Sequence, residues 1–175
     1  MKTHLELMAS YNQWMNKAIF SALSGLEPAE LGKDRGAFFG SIIGTLNHIL
    51  VGDIIWLKRF SAHPANFSTL EVLEEFALPS SLADIIHPHI APLTRARDRM
   101  DSLIIDLIKE TRAADLAYNL NYSNTQGKAF TKNFAHLLQH LFNHQTHHRG
   151  QVSTLLHQQG IDIASSDLLM MIPDA

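Results

Sequence analysis

Asn143-His144-Gln145-Thr146-His147-His148-Arg149-Gly150-Gln151 lies late in the chain, inside a long run of helical periodicity. An α-helix turns by about 100° per residue, so His144 and His148 project within about 40° of one another, one turn apart. Two imidazoles at that spacing can share one metal ion without bending the backbone. Both fall on the apolar stripe that Phe134, Leu137, Leu141, Val152 and Leu155 continue at three- and four-residue steps. Histidine twice where leucine is expected requires either a ligand or a set of buried hydrogen-bond partners.

The helix around this stretch reads as residues 132–159, stopped by Gly160. Upstream, residues 116–130 carry Asn-Tyr-Ser-Asn-Thr-Gln-Gly-Lys, a turn signal between two short runs that can pair as a small hairpin. A third helix is expected over residues 92–110, on Leu93, Ala96, Met100, Leu103, Ile104 and Leu107. Residues 62–89 are a long connection. Within it Ser68 and Glu71 form a capping-box pattern, with Phe67 and Val72 placed as a staple, so a short helix is expected there. The second helix reads as residues 38–61 and is apolar on nearly every side, except for a stripe of Ser41, Thr45, His48, Gly52 and Arg59. The first reads as residues 3–24, ended by Gly25 and Pro28. Four long amphipathic helices predict an all-α protein, a four-helix bundle formed as a single domain over residues 1–175. The long connection between helices two and three permits those two to run parallel.

Composition narrows the function. Of 175 residues, 46% are hydrophobic and 18% charged, with a net charge of −3, so nothing favours nucleic acid as a partner. The absence of cysteine removes disulfides, iron–sulfur clusters and thiolate zinc sites. The amino terminus lacks a secretory apolar core, and the most apolar run, residues 41–57, is interrupted by Asn47, His48 and Asp53. No membrane partner is expected, and a cytoplasmic location follows as the default. Eleven histidines are the one unusual count.

A metal held by His144 and His148 needs a third ligand from another element. His48 is the best candidate, being the only histidine within the second helix, with the small Gly44 and Gly52 nearby. The alternative is that Ser41, Thr45, His48 and Arg59 form a solvated face, and periodicity does not choose between the two. His136, His140 and His147 diverge from the stripe by about 80°, 40° and 60°, which makes them flanking residues. His63, His87 and His89 lie on the long connection, where histidines are usually solvated. Arg149 points away from the stripe and is expected to pair with an acidic residue of a neighbouring helix. Glu-x-x-His pairs, H-E-x-x-H, a nucleophile elbow and a phosphate loop are all absent. No acidic residue occurs between Asp115 and Asp162, so the last helix supplies no carboxylate ligand. A divalent ion held by neutral imidazoles keeps its full charge and favours an anion in its open position. Zinc, nickel, iron or copper all suit such a donor set.

Leu46-Asn47-His48-Ile49-Leu50-Val51-Gly52-Asp53-Ile54-Ile55-Trp56-Leu57, followed by Asn143-His144…His147-His148-Arg149-Gly150-Gln151, resembles the DinB/YfiT-like family of small bacterial metalloproteins. The resemblance extends over nearly the whole chain, through Tyr11, Asn12 and Trp14 to the tail Gly160-Ile161-Asp162…Asp167-Leu168. It implies a four-helix bundle of up-down-down-up topology, often a homodimer. It also implies a divalent transition metal (zinc, nickel or iron) on His48, His144 and His148. Characterised relatives include transferases and isomerases that use low-molecular-weight thiols such as bacillithiol or mycothiol. The expected function is therefore activation of a thiol or water for transfer to, or hydrolysis of, a small electrophilic substrate. The competing class is a non-catalytic metal-binding stress or structural protein, which would close the coordination sphere.

Overall fold

The computed structural model describes residues 1–174. Five α-helices and one hairpin follow in chain order: α1 (Lys2–Leu23), α2 (Pro28–Gly32), α3 (Ile42–Phe60), α4 (Ile90–Glu110), β1 (Asn119–Ser123), β2 (Ala129–Asn133) and α5 (Phe134–His157). Short 3-10 turns occupy Ser68–Glu75, Asp115–Ala117 and Leu168–Met171. The protein is mostly helical, as the periodicities require. Helix α1 packs on α4 and α5, and α3 packs on α5 and α4. The shared core includes Ile19, Leu57, Phe60, Leu107, Phe134 and Phe142, all fully buried. Every residue of α3 from Ile42 to Ile55 is buried, which accounts for its apolar composition on all sides.

Helix α3 begins four residues later than the hydrophobic pattern predicts. Residues 38–41 instead form a tight turn closed by an Ala37–Gly40 bridge, with Gly40 at φ 72°. Ser41 then caps the helix, its hydroxyl accepting from Gly44 N at 3.0 Å. Phe39 is left to project from the turn rather than from the helix. At the other end, Asn133 caps α5 by accepting from His136 N at 3.3 Å. Gly160, at φ 75°, lets Ile161 N return to Leu156 O at 3.1 Å and ends the helix.

The hairpin forms where the turn signal sits, with Asn119 paired to Asn133 and Ser123 to Ala129. The Asn124 side chain accepts from Gln126 N and Lys128 N and so holds the loop tip rigid. The expected capping box at residue 68 does not form. The 3-10 turn of Ser68–Glu75 is capped from outside, by the Glu110 carboxylate accepting from Ser68 N at 2.7 Å and Thr69 N at 3.0 Å. A charged acceptor from α4 satisfies two orphan donors at once, which Glu71 could not do in 3-10 geometry.

A polar network lies buried between the helices. Asp53 of α3 accepts from Arg97 of α4 and from the Gln145 amide of α5, the latter at 3.0 Å. Arg97 also pairs with Asp101 at 3.0 Å, and Asp101 accepts from Asn12 and Asn16 of α1. Arg149 donates to the Asn12 and Asn16 side-chain oxygens and, at 3.2 Å, to Gln145. The expected carboxylate partner for Arg149 is thus replaced by amide oxygens, which pass its charge on to Asp101. Burial lowers Arg149 to about 10 and raises Asp53 to about 6, each opposed by the oppositely charged members of the network.

Two arginines against two aspartates leave the network neutral, provided all four stay. Arg97→Met should destabilise the protein by about 3–5 kcal/mol, because two buried carboxylates lose their counter-charge. Urea denaturation at pH 7 measures this, and a loss below about 1 kcal/mol would show that amides alone satisfy Asp53 and Asp101.

Candidate metal centre

His48 of α3 meets His144 and His148 of α5 between the two helices. Its Nε2 lies 3.0 Å from His144 Nε2 and 3.1 Å from His148 Nε2. The three rings form a group in which one nitrogen from each lies within 4.8 Å of the other two. Of the eleven histidines, these three are gathered; His136 and His147 are exposed, and His140 meets Trp56 edge-to-face with ring centroids 5.1 Å apart. His63 corrects the expectation of a solvated loop residue. It is buried, accepts from Ala65 N at Nδ1 and donates from Nε2 to Asp115 O at 3.2 Å. The stripe on α3 is likewise not a solvated face, since Ser41, Thr45, His48 and Gly52 are all buried.

The far nitrogens set the tautomers. A carbonyl can only accept, so His48 Nδ1–H donates to Leu82 O at 2.8 Å. His148 Nδ1–H donates to Gln151 Oε1, also at 2.8 Å. With their protons at Nδ1, both rings turn bare Nε2 lone pairs toward each other at 3.1 Å. Such an arrangement is repulsive unless something positive sits between them. His144 Nδ1 is buried without a partner, so that ring brings no compensating bond of its own. One proton on His144 Nε2 could satisfy only one neighbour. A tetrahedral ion about 2.0–2.1 Å from each nitrogen would separate ligands by about 3.3 Å, close to the spacing found. The residues therefore fit a metal.

Protonation is disfavoured at all three. Burial lowers His48 and His148, against the opposing pull of the Leu82 carbonyl and the Gln151 amide. Burial first, then the neighbouring imidazoles, pushes His144 down to about 3. Neutral imidazole is the form that binds metal.

Several supporting residues carry no signal in the periodicity. Phe39 stacks on His48 with centroids 3.7 Å apart and covers one side of the ring. Asn47 donates to His87 O and accepts from His87 N, tying the connection to α3 and so holding Leu82 over His48. Gly52 has a steric role: a Cβ there would stand 2.7 Å from His144 Cε1. On one side the nest opens to a cavity of about 240 Å³, lined by Gly52, Ile55, Trp56, Arg59, Leu82 and His140 together with the hairpin tip.

A helical protein that converges three imidazoles from two of its long helices on one point belongs among candidate helical metalloproteins. The chain is a member of the DinB family, whose model matches residues 1–173. It is similar to Protein DinB of Bacillus subtilis (strain 168), with 25% identity over 162 residues, covering 90% of this chain and 87% of that protein.

Gly52→Ala should weaken metal binding by about 10–100-fold with little change in helix content, since the added methyl displaces a ring that must converge. Competition with a chelating dye measures the first and circular dichroism the second. His136→Ala and His147→Ala should stay within a few-fold of wild type.

The lowered His144 also gives a pH dependence in metal-free protein. Between about 3 folded and 6.5 unfolded, only the unfolded state takes up the proton, so acid draws the equilibrium toward unfolding. Stability relative to His144→Gln should fall below pH 6.5 by up to about 1.4 kcal/mol per pH unit. Denaturation midpoints of the two proteins at pH 7, 6 and 5 test it, and a constant difference would contradict it.

Proposed function

We propose that this protein is a metal-dependent enzyme in which His48, His144 and His148 hold a divalent transition metal ion, zinc, nickel or iron, within a single domain. The observation that carries this reading is the facing pair of Nε2 lone pairs on His48 and His148, which a cation between them would stabilise. An ion there would supply Lewis acidity, lowering the pKa of a low-molecular-weight thiol such as bacillithiol or mycothiol, or of water, for attack on a small electrophile.

The chain's own residues do the rest. Leu82 O and Gln151 Oε1 keep the protons of His48 and His148 on Nδ1, so both rings stay oriented with Nε2 inward. Phe39 and the 82–87 segment shield the nest on one side, which strengthens electrostatics within it. The cavity beyond Gly52 leaves the opposite side accessible, and this openness favours an enzyme over a closed structural site. Trp56, Ile55 and Leu82 give that cavity an apolar wall for the carbon skeleton of a substrate.

The reading includes an up-down-down-up bundle, supported by side-chain pairings along the helices. Lys2 at the start of α1 reaches Lys109 O at the end of α4. Asn47 meets His87 and Asp53 meets Arg97, so α3 and α4 advance together, while Trp56 against His140 and Phe60 against Phe134 run α3 opposite to α5. It also includes a homodimer in the cytoplasm acting on a small molecule, with no nucleic-acid or membrane partner. Among the described residues no helix is long and apolar enough to cross a membrane.

Protein purified without a histidine tag should hold about one transition metal per chain, and His48→Ala, His144→Ala and His148→Ala should each lower that occupancy greatly. Cobalt-substituted protein should develop a sulfur-to-cobalt charge-transfer band with bacillithiol or a simple dithiol. Retention of wild-type affinity by His48→Ala would reduce the site to the pair on α5. A cobalt spectrum unchanged by thiols and between pH 6 and 9 would favour a binding protein instead.

A further inference from the structure

Arg59 stands on α3 about three turns beyond His48 and lines the same cavity as His48 and His144. It is half-buried, yet among the described residues it forms no ion pair and no hydrogen bond, whereas Arg35, Arg97, Arg99 and Arg112 each meet a carboxylate. Its guanidinium lies over the rings of Trp56 at 4.6 Å and Tyr122 at 5.1 Å. Those two aromatics hold the guanidinium without using its N–H donors. The titratable groups facing it are Tyr122 and His140, neither of them a carboxyl group, and burial lowers the Arg59 pKa. A cation held in this way, partly desolvated and unpaired on the wall of a cavity, is incomplete without an anion.

The lining indicates which anion. Ile55, Trp56 and Leu82 are apolar, and Asn124 and Thr125 at the rigid hairpin tip supply the neutral polar groups. The next cation, Lys58, is committed to Leu73 O at 2.8 Å. One planar guanidinium with no second free cation matches a singly charged, planar carboxylate better than a phosphate dianion. A volume of about 240 Å³ suits a molecule of a few carbons.

We propose that the cavity binds a small aliphatic carboxylate, its carboxyl group on the Arg59 fork and its carbon chain along Trp56 and Ile55 toward the histidine nest. Resting on the reading of that nest as a metal site, this names the substrate class as carboxylate-bearing. The group that reacts sits at the histidine end, and Arg59 sets the orientation by holding the other end. Arg59 is then a binding and positioning residue that takes no part in proton transfer.

The test uses the full chain, metal-free and zinc-loaded, titrated with butyrate and with the uncharged butyramide. The Arg59 Nε–H resonance, identified by its loss in Arg59→Gln, reports binding directly. Butyrate should shift this resonance saturably and bind about tenfold more tightly than butyramide in both forms. In Arg59→Gln, followed through the Trp56 indole resonance, that preference should vanish, and Arg59→Lys should restore part of it. Unchanged helix content and metal content in Arg59→Gln separate the effect from misfolding. Equal binding of butyrate and butyramide would overturn the proposal. So would butyrate binding that requires zinc and survives Arg59→Gln, because the carboxylate would then sit on the ion. Protein that takes up no metal but still prefers butyrate through Arg59 would refute the metal reading and leave the carboxylate site standing. Protein that holds metal without the preference would do the reverse.

Discussion

Three imidazoles crowded between two helices are held apart from an ordinary hydrophobic seam by the position of two protons. Leu82 O claims the proton of His48 and Gln151 claims that of His148, so both rings present lone pairs to a point they share with His144. A hydrogen bond between two such acceptors is impossible, and none of the rings is readily protonated in its buried setting. The local arrangement makes chemical sense around a cation. Much of what surrounds it serves that geometry: the smallness of Gly52, the stacking of Phe39 and the tether from Asn47 to His87.

The polar network behind the nest has a different task. Gln145 lies between the two histidines of α5 in sequence and turns to the opposite side, where it bridges Asp53 and Arg149. Asp53 adjoins Gly52 on α3. Each helix therefore offers histidine or glycine toward the nest and a network residue toward the buried polar network, one residue apart. A shift of either helix along its axis would break both sets together. Buried charges of this kind add little net stability compared with a well-packed apolar core, but their loss one at a time is expensive. Their effect here is to fix the register of α3 against α5 and α4, on which convergence of the rings depends.

The histidine nest is open on one side. The hairpin and the long connection do not close over the nest; they frame a cavity that runs from the histidines to Arg59. The Asn124 turn and Trp56 bound that cavity, and they come from segments far apart in the chain. Helices position the three histidines, while the connections supply walls of the cavity.

The helical periodicity, the turn signal at Asn124 and the four-residue spacing of His144 and His148 are local properties, and the sequence by itself determined them. It also determined the donor chemistry, since no cysteine occurs and no acidic residue lies between Asp115 and Asp162. The choice of His48 over the other histidines was not local. Its stripe on α3 reads equally well as a solvated face, and only the packing of α3 on α5 buries it against the pair. The start of α3 was missed for a related reason: Phe38 and Phe39 fit the apolar pattern, but Ser41 caps the helix and the preceding turn sends Phe39 across His48. The cap at residue 68, the burial of His63 and the Asn12 and Asn16 partners of Arg149 likewise depend on groups 40 or more positions away. Sequence spacing encodes which residues share a face of one helix. Which face meets which, and which nitrogen is left without a proton, is decided by contacts between segments that only the folded chain brings together.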